Sequence, residues 1–177
     1  MKRMVLLLVA VVAAAPTLAQ EMLPGAGAGV VKTMQGNFNY VSDFIVKSAE
    51  QMPEADYAFK PTPEVRSLGQ LIGHVADANY GICSTVLGEA NPSKGVEKNM
   101  TSKADLVAAL KGSFEYCGRA YSLPDKDTGM KIKIFGQEQT RLSGLLLDLT
   151  HNWEHYGNLV TYLRLKGQVP PSSQAKP

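Results

Sequence analysis

The chain has 177 residues, 45% hydrophobic and 19% charged, with three histidines and two cysteines, a length that suits one domain with a sizeable core. Its formal net charge of +2 is carried by Lys2 and Arg3, and without them 16 basic side chains face 16 acidic ones. No basic run or stripe is present, so the electrostatic footprint of a nucleic-acid binder is absent.

The first twenty residues, MKRMVLLLVAVVAAAPTLAQ, read as a secretory leader. Lys2 and Arg3 form its charged end, and Met4 to Ala15 is an apolar core too short to span a bilayer comfortably. Thr17-Leu18-Ala19 places small residues where a signal peptidase cuts, so residues 1–19 are expected to be removed after Ala19. The alternative, an uncleaved anchor, is disfavoured by Pro16 and the small residues that follow directly. No later stretch has the length of a membrane span. The expectation is an exported, periplasmic protein.

In an oxidising compartment Cys83 and Cys117 can pair, since each falls near the apolar face of its own predicted helix. Two separately buried thiols are the alternative. A redox-active site is excluded by the missing C-x-x-C spacing.

Residues 20–29, rich in Gly and Ala, form a flexible lead-in. Val31, Met34, Phe38, Val41, Ile45 and Met52 then recur at helical spacing, which predicts a first helix from about Val30 to Met52. Pro53, Pro61 and Pro63 make the next connection extended. Ser67 is a suitable N-cap for a second helix with Leu68, Leu71, Ile72, Val75, Asn79, Ile82 and Val86 on one face. His74 lies on a neighbouring strip with Gln70, Ala78 and Gly81, whose small members leave room beside an imidazole. Residues 88–98 read as a loop. Ser102 followed by Asp105 resembles a capping box and opens a third helix with Leu106, Leu110, Phe114, Cys117 and Tyr121 inward. Residues 123–139 form a polar crossover in which residues 131–135 alternate like a short strand. Thr140 caps a final helix that runs to Lys166 and stops at Gly167. The predicted fold is all-α, a four-helix bundle over residues 30–168 with a long crossover before the last helix and a flexible tail from 169 to 177.

The chemistry lies in the histidines. His151 and His155, four apart on one helical face, can bind one ion, and a bundle could bring His74 to the same point. Three imidazoles leave a coordination position open, as in catalytic rather than structural zinc sites, and neutral imidazoles suit zinc, nickel or iron better than calcium or magnesium. Residues 151–155 also spell H-x-x-E-H, a peptidase signature that requires an acidic ligand further on. The 22 residues after His155 contain no Asp or Glu, which excludes that reading. Glu154, Asp77 and Asp148 are candidate proton-moving or imidazole-orienting carboxylates beside the site. For Glu154 an ion pair with Arg164 or Lys166 in solvent is an equal alternative.

FKPTPEVRSLGQLIGHVADANY resembles the entry to the second helix of the DinB-like (YfiT-type) metalloenzymes, and LLLDLTHNWEHYGNLVTYLRLKGQVPPSS resembles their final helix. The resemblance implies a DinB-type bundle with a divalent metal on His74, His151 and His155, and homodimers are common in that family. It also implies a small-molecule substrate, with thiol-dependent transfer among the reactions. Members with assigned thiol chemistry are cytosolic, whereas this chain carries a leader. That favours hydrolysis of a small molecule, or non-catalytic metal or ligand binding in a periplasmic stress protein.

Overall fold

The computed structural model describes residues 29–175; the expected leader and the expected lead-in up to residue 28 lie outside the described residues. Four long helices, α1 (Val30–Gln51), α2 (Leu68–Leu87), α4 (Lys103–Ala120) and α5 (Arg141–Leu165), form the predicted bundle, with a one-turn helix, α3 (Val96–Asn99), between α2 and α4. None of these helices is long and apolar enough to cross a membrane.

The helices begin where side chains can satisfy their free N–H groups. Ser67 accepts from Gln70 N while Gln70 reaches back to Ser67 N, a complete capping box. Ser102 accepts from Asp105 N, but Asp105 takes the Ser102 hydroxyl at 2.6 Å instead of the backbone N–H, so this box is half formed. Thr140 accepts from Ser143 N. α1 has no cap of its own at Gly29, and Asp125 of the crossover supplies one by accepting from Val31 N at 3.0 Å. α5 ends at Gly167, whose φ of 72° lets Gln168 N bond Leu163 O at 2.8 Å.

α1, α2 and α4 bury the apolar stripes read from their sequences, and α5 buries Leu145, Leu149, Leu159 and Leu163. α2 packs on α4 and α5, and α1 packs on α5 and α4, so α1 and α2 stand diagonally across the bundle. Consecutive long helices are therefore not neighbours at two of the three connections, 52–67 and 121–140, which have to cross the bundle. Phe38 of α1 stacks on Tyr121 at 4.1 Å across the centre. Complete burial of side chains such as Ile45, Ile72, Leu110 and Leu159 stabilises by about 1.5–3 kcal/mol each. Cys83 and Cys117, with Cα atoms 5.3 Å apart, form the expected disulfide and tie α2 to α4.

Three regions differ from the sequence reading. The loop after α2 contains α3. The crossover holds a complete hairpin, β1 (Lys131–Ile134) antiparallel to β2 (Gln137–Thr140), where only one strand was expected. The segment expected to be a flexible tail packs down instead: Pro171 is buried, Ser172 N bonds Tyr156 Oη at 2.9 Å, and Gln174 bonds Gln51 at 3.0 Å. Two prolines limit its freedom and let this turn dock without ladder hydrogen bonds.

Candidate metal centre

α2 and α5 bring the three histidines together. His151 Nε2 lies 3.2 Å from His74 Nε2 and 2.9 Å from His155 Nε2, and the three ligand atoms fall within 4.8 Å of one another. Ligands at zinc–nitrogen distances of 2.0–2.1 Å in a tetrahedron sit about 3.3 Å apart, so a small relaxation would accommodate one cation.

Protonation favours this reading. Burial pushes all three imidazoles below their ordinary range, His155 to about 3, and the Arg66 guanidinium adds to the fall at each, while Glu97 and Asp77 at His74 and Glu154 at His151 partly oppose it. The rings are therefore neutral at neutral pH and have lone pairs to offer. His74 Nδ1 faces Glu97 Oε2 at 3.4 Å, an orientation that keeps the proton on Nδ1 and turns the Nε2 lone pair to the centre. His155 Nδ1 lies 3.3 Å from the Asn158 amide, which can accept the ring proton once its oxygen is turned inward. His151 Nδ1 is buried without a hydrogen-bond partner among the described residues. The residues present fit a divalent cation.

The carboxylates proposed from sequence do not gather here. Asp77 binds the loop that carries Glu97: it accepts from Val96 N at 2.8 Å, from Glu97 N at 2.9 Å and from the Ser93 hydroxyl. It is the cap of α3. Asp148, one turn before His151, is fully buried and turned toward α4, with Tyr121 Oη 2.9 Å away and Cys117 Sγ at 3.9 Å. Burial raises its pKa to about 7. Glu154 is exposed, and its predicted cationic partners are engaged elsewhere, Lys166 with Asp56 and Arg164 with Ser173. Two of the three act on a histidine through their charge alone, Asp77 partly offsetting the fall in the His74 pKa and Glu154 that in the His151 pKa.

Glu97 is the functional residue that the sequence reading missed. It sits in α3, which comes against α2 because residue 73 is glycine: a Cβ there would lie 2.6 Å from Glu97 Cα. A glycine immediately before His74 was the one available signal. Arg66 pairs with Glu97 at 2.9 Å, and the Arg66 carbonyl accepts from Tyr162 Oη at 2.6 Å, so the entry to α2 and the end of α5 are joined at the site.

Two cavities adjoin the triad. One, of about 590 Å³, is lined by His155, Glu97, Arg66, Asn158 and Tyr162. The other, of about 410 Å³, lies against His74 and His151 under the hairpin. Ala78 and Gly81, the small residues noted on the His74 strip, line the second.

Fold and site together define a helical bundle with a three-histidine centre built on α2 and α5. The family model described as the DinB superfamily matches residues 43–159, and the chain belongs to that superfamily. A curated relative, the uncharacterized protein YjoA of Bacillus subtilis (strain 168), is 26% identical over 125 residues, covering 68% of this chain and 80% of YjoA. The solved structure of YjoA superposes with a TM-score of 0.65 at 21% identity, covering 81% of this chain and 99% of that one. A DinB-like protein from Bacillus cereus ATCC 10987 gives a TM-score of 0.69 at 16% identity, covering 78% and 93% of the two chains. A conserved protein from Enterococcus faecalis gives 0.66 at 15%, covering 78% and 98%. These likenesses establish the fold.

Proposed function

We propose that this is an exported metal-dependent enzyme in which His74, His151 and His155 hold a divalent cation, with zinc the first choice and nickel or iron the others, and that it hydrolyses a small molecule. The observation that carries the proposal is the convergence of three neutral Nε2 atoms, one of them with its tautomer set by Glu97, beside two cavities. A cation held there would polarise a substrate oxygen or activate water. Glu97 orients His74 through Nδ1, Asn158 can do the same for His155, and Arg66 holds Glu97 in place. Export rests on the leader of residues 1–19 and lowers the case for transfer to the low-molecular-weight thiols of the cytosol. A homodimer remains the family expectation.

Turnover of a panel of esters, amides and thiol-conjugation substrates by the zinc-loaded protein tests this. Ester or amide hydrolysis that disappears in a folded His151→Ala variant supports the enzyme, while thiol conjugation alone supports the transferase. Metal binding without any turnover favours a second reading, a non-catalytic periplasmic metal- or ligand-binding stress protein. That reading has its own support, because Asp77 and Asp148 are committed elsewhere and Glu154 faces solvent. The metal would then act by stabilising the folded state to which it binds.

A further inference from the structure

The cavity against His74 and His151 has features that metal binding alone does not need. Ala78, Gly81 and Ile82 of α2, Leu147 of α5, and Ile134 and Phe135 of the hairpin make its wall apolar. Its volume, about 410 Å³, falls within the range of small-molecule sites, roughly 300–1,000 Å³. Most of its polar groups are already committed. The Asp77 carboxylate caps α3, and the Thr85 hydroxyl donates to Gly81 O at 2.9 Å. What remains is the imidazole pair at the inner end and exposed Lys133, which lines the mouth of the groove from the hairpin. Lys131 takes Glu138 at 2.7 Å, and Lys133 has no ion pair among the described residues.

Phe135 is the second observation. The hairpin turns through Phe135 and Gly136, with φ of 48° and 80°. A two-residue turn of this kind is ordinarily made by Asn-Gly or Asp-Gly, because both residues must be left-handed. Here a bulky aromatic holds that conformation and is 85% exposed at the groove. Neither the turn nor the core gains from it, and such backbone outliers concentrate at functional sites.

We propose that this groove binds the substrate, and that the substrate is a small amphipathic anion. Its polar function meets the histidine centre, its aryl or branched-alkyl body lies along the α2–α5 wall under Phe135, and an anionic terminus pairs with Lys133. Ala78 and Gly81, one and two turns after His74, set the width of the groove. The inner end of this arrangement rests on the metal reading of the triad; the groove itself does not.

Calorimetric titration of the zinc-loaded, tag-free protein with acetohydroxamic acid and with 4-carboxyphenylacetohydroxamic acid tests it. Both carry the same metal-binding head, and only the second has the apolar body and the anion. The aryl probe should bind at least about ten-fold tighter, as burial of a ring implies. Ala78→Leu and Phe135→Asn should each remove most of that advantage while leaving zinc content and acetohydroxamate affinity unchanged. Lys133→Ala should weaken the aryl probe alone. Phe135→Asn should also unfold no more readily than wild type, an outcome that a structural role for Phe135 would not give. Equal affinity for the two probes, or an aryl advantage untouched by all three substitutions, overturns the proposal. If the protein takes up no zinc, the metal reading has failed, and 4-phenylbutyrate then decides the groove. NMR shifts confined to residues around Ala78, Gly81 and Phe135, and lost in Ala78→Leu, support it; their absence overturns it.

Discussion

Asp148 offers a quantitative test of how the bundle treats an acid in its interior. Its carboxyl is fully buried between α5 and α4, and burial raises its pKa from 3.8 to about 7, against the lowering effect of Tyr121 and Asn152. A protonated Asp148 suits its surroundings, because it can donate to Tyr121 Oη while that hydroxyl donates to Leu145 O at 2.8 Å. The sign follows from linkage. The folded state retains this proton to a higher pH than the unfolded chain does. The stabilisation is therefore complete below about pH 4 and is lost as the pH rises through 7. About three pH units at about 1.4 kcal/mol each give a loss of about 4 kcal/mol. Asp148→Asn keeps an N–H donor for Tyr121 Oη and cannot ionise. Urea unfolding of both proteins from pH 4 to pH 9, with chelator present, should show the variant gaining about 4 kcal/mol on wild type across that range. Histidine protonation is common to both proteins and cancels. Parallel stability curves would refute the reasoning and mean that Asp148 titrates like a solvated acid.

Three further outcomes follow from the packing around the site. Glu97→Gln should weaken zinc binding by about 10–100-fold in a competition titration without unfolding the protein, since orienting partners of ligand histidines have effects of that size; unchanged affinity would show that Glu97 does not set the His74 tautomer. Gly73→Ala should destabilise by about 1–3 kcal/mol in chemical denaturation, because the new methyl must displace the Glu97 backbone. It should also weaken zinc binding, and stability lost without any change in zinc affinity would separate α3 from the site. Replacing both Cys83 and Cys117 by Ser should cost about 3–4 kcal/mol of stability for a separation of 34 residues; a loss below 1 kcal/mol would mean that the cross-link does not constrain the unfolded chain as the entropy model assumes.

The long helices were legible because each repeats buried apolar residues at helical spacing and all but α1 start at a side chain that caps them, as at Ser67 and Thr140. The histidine centre was legible for a related reason: His151 and His155 are four apart on one face, and the chain's one other histidine lies in a second helix. What failed depended on contacts between distant segments. Asp77 looked like a partner for His74 along the helix, yet its oxygens serve backbone N–H groups twenty residues further on. Asp148 is near His151 in sequence but turns toward Tyr121, and a helical wheel could not choose between those directions before the position of α4 was known. Glu97 was invisible because α3 has too few residues to show a period and is held by Asp77 and Gly73. The docked end at residues 170–174 likewise depends on Tyr156 and Gln51, which pattern alone cannot connect to it.

The most direct test is metal analysis of protein purified without a histidine tag, after equilibration with micromolar zinc, compared with His151→Ala judged folded by circular dichroism. Three converging imidazoles predict about one zinc per chain in the wild type and none retained in the variant. A wild type that takes up no metal, or a variant that keeps the same stoichiometry, would contradict the three-histidine centre.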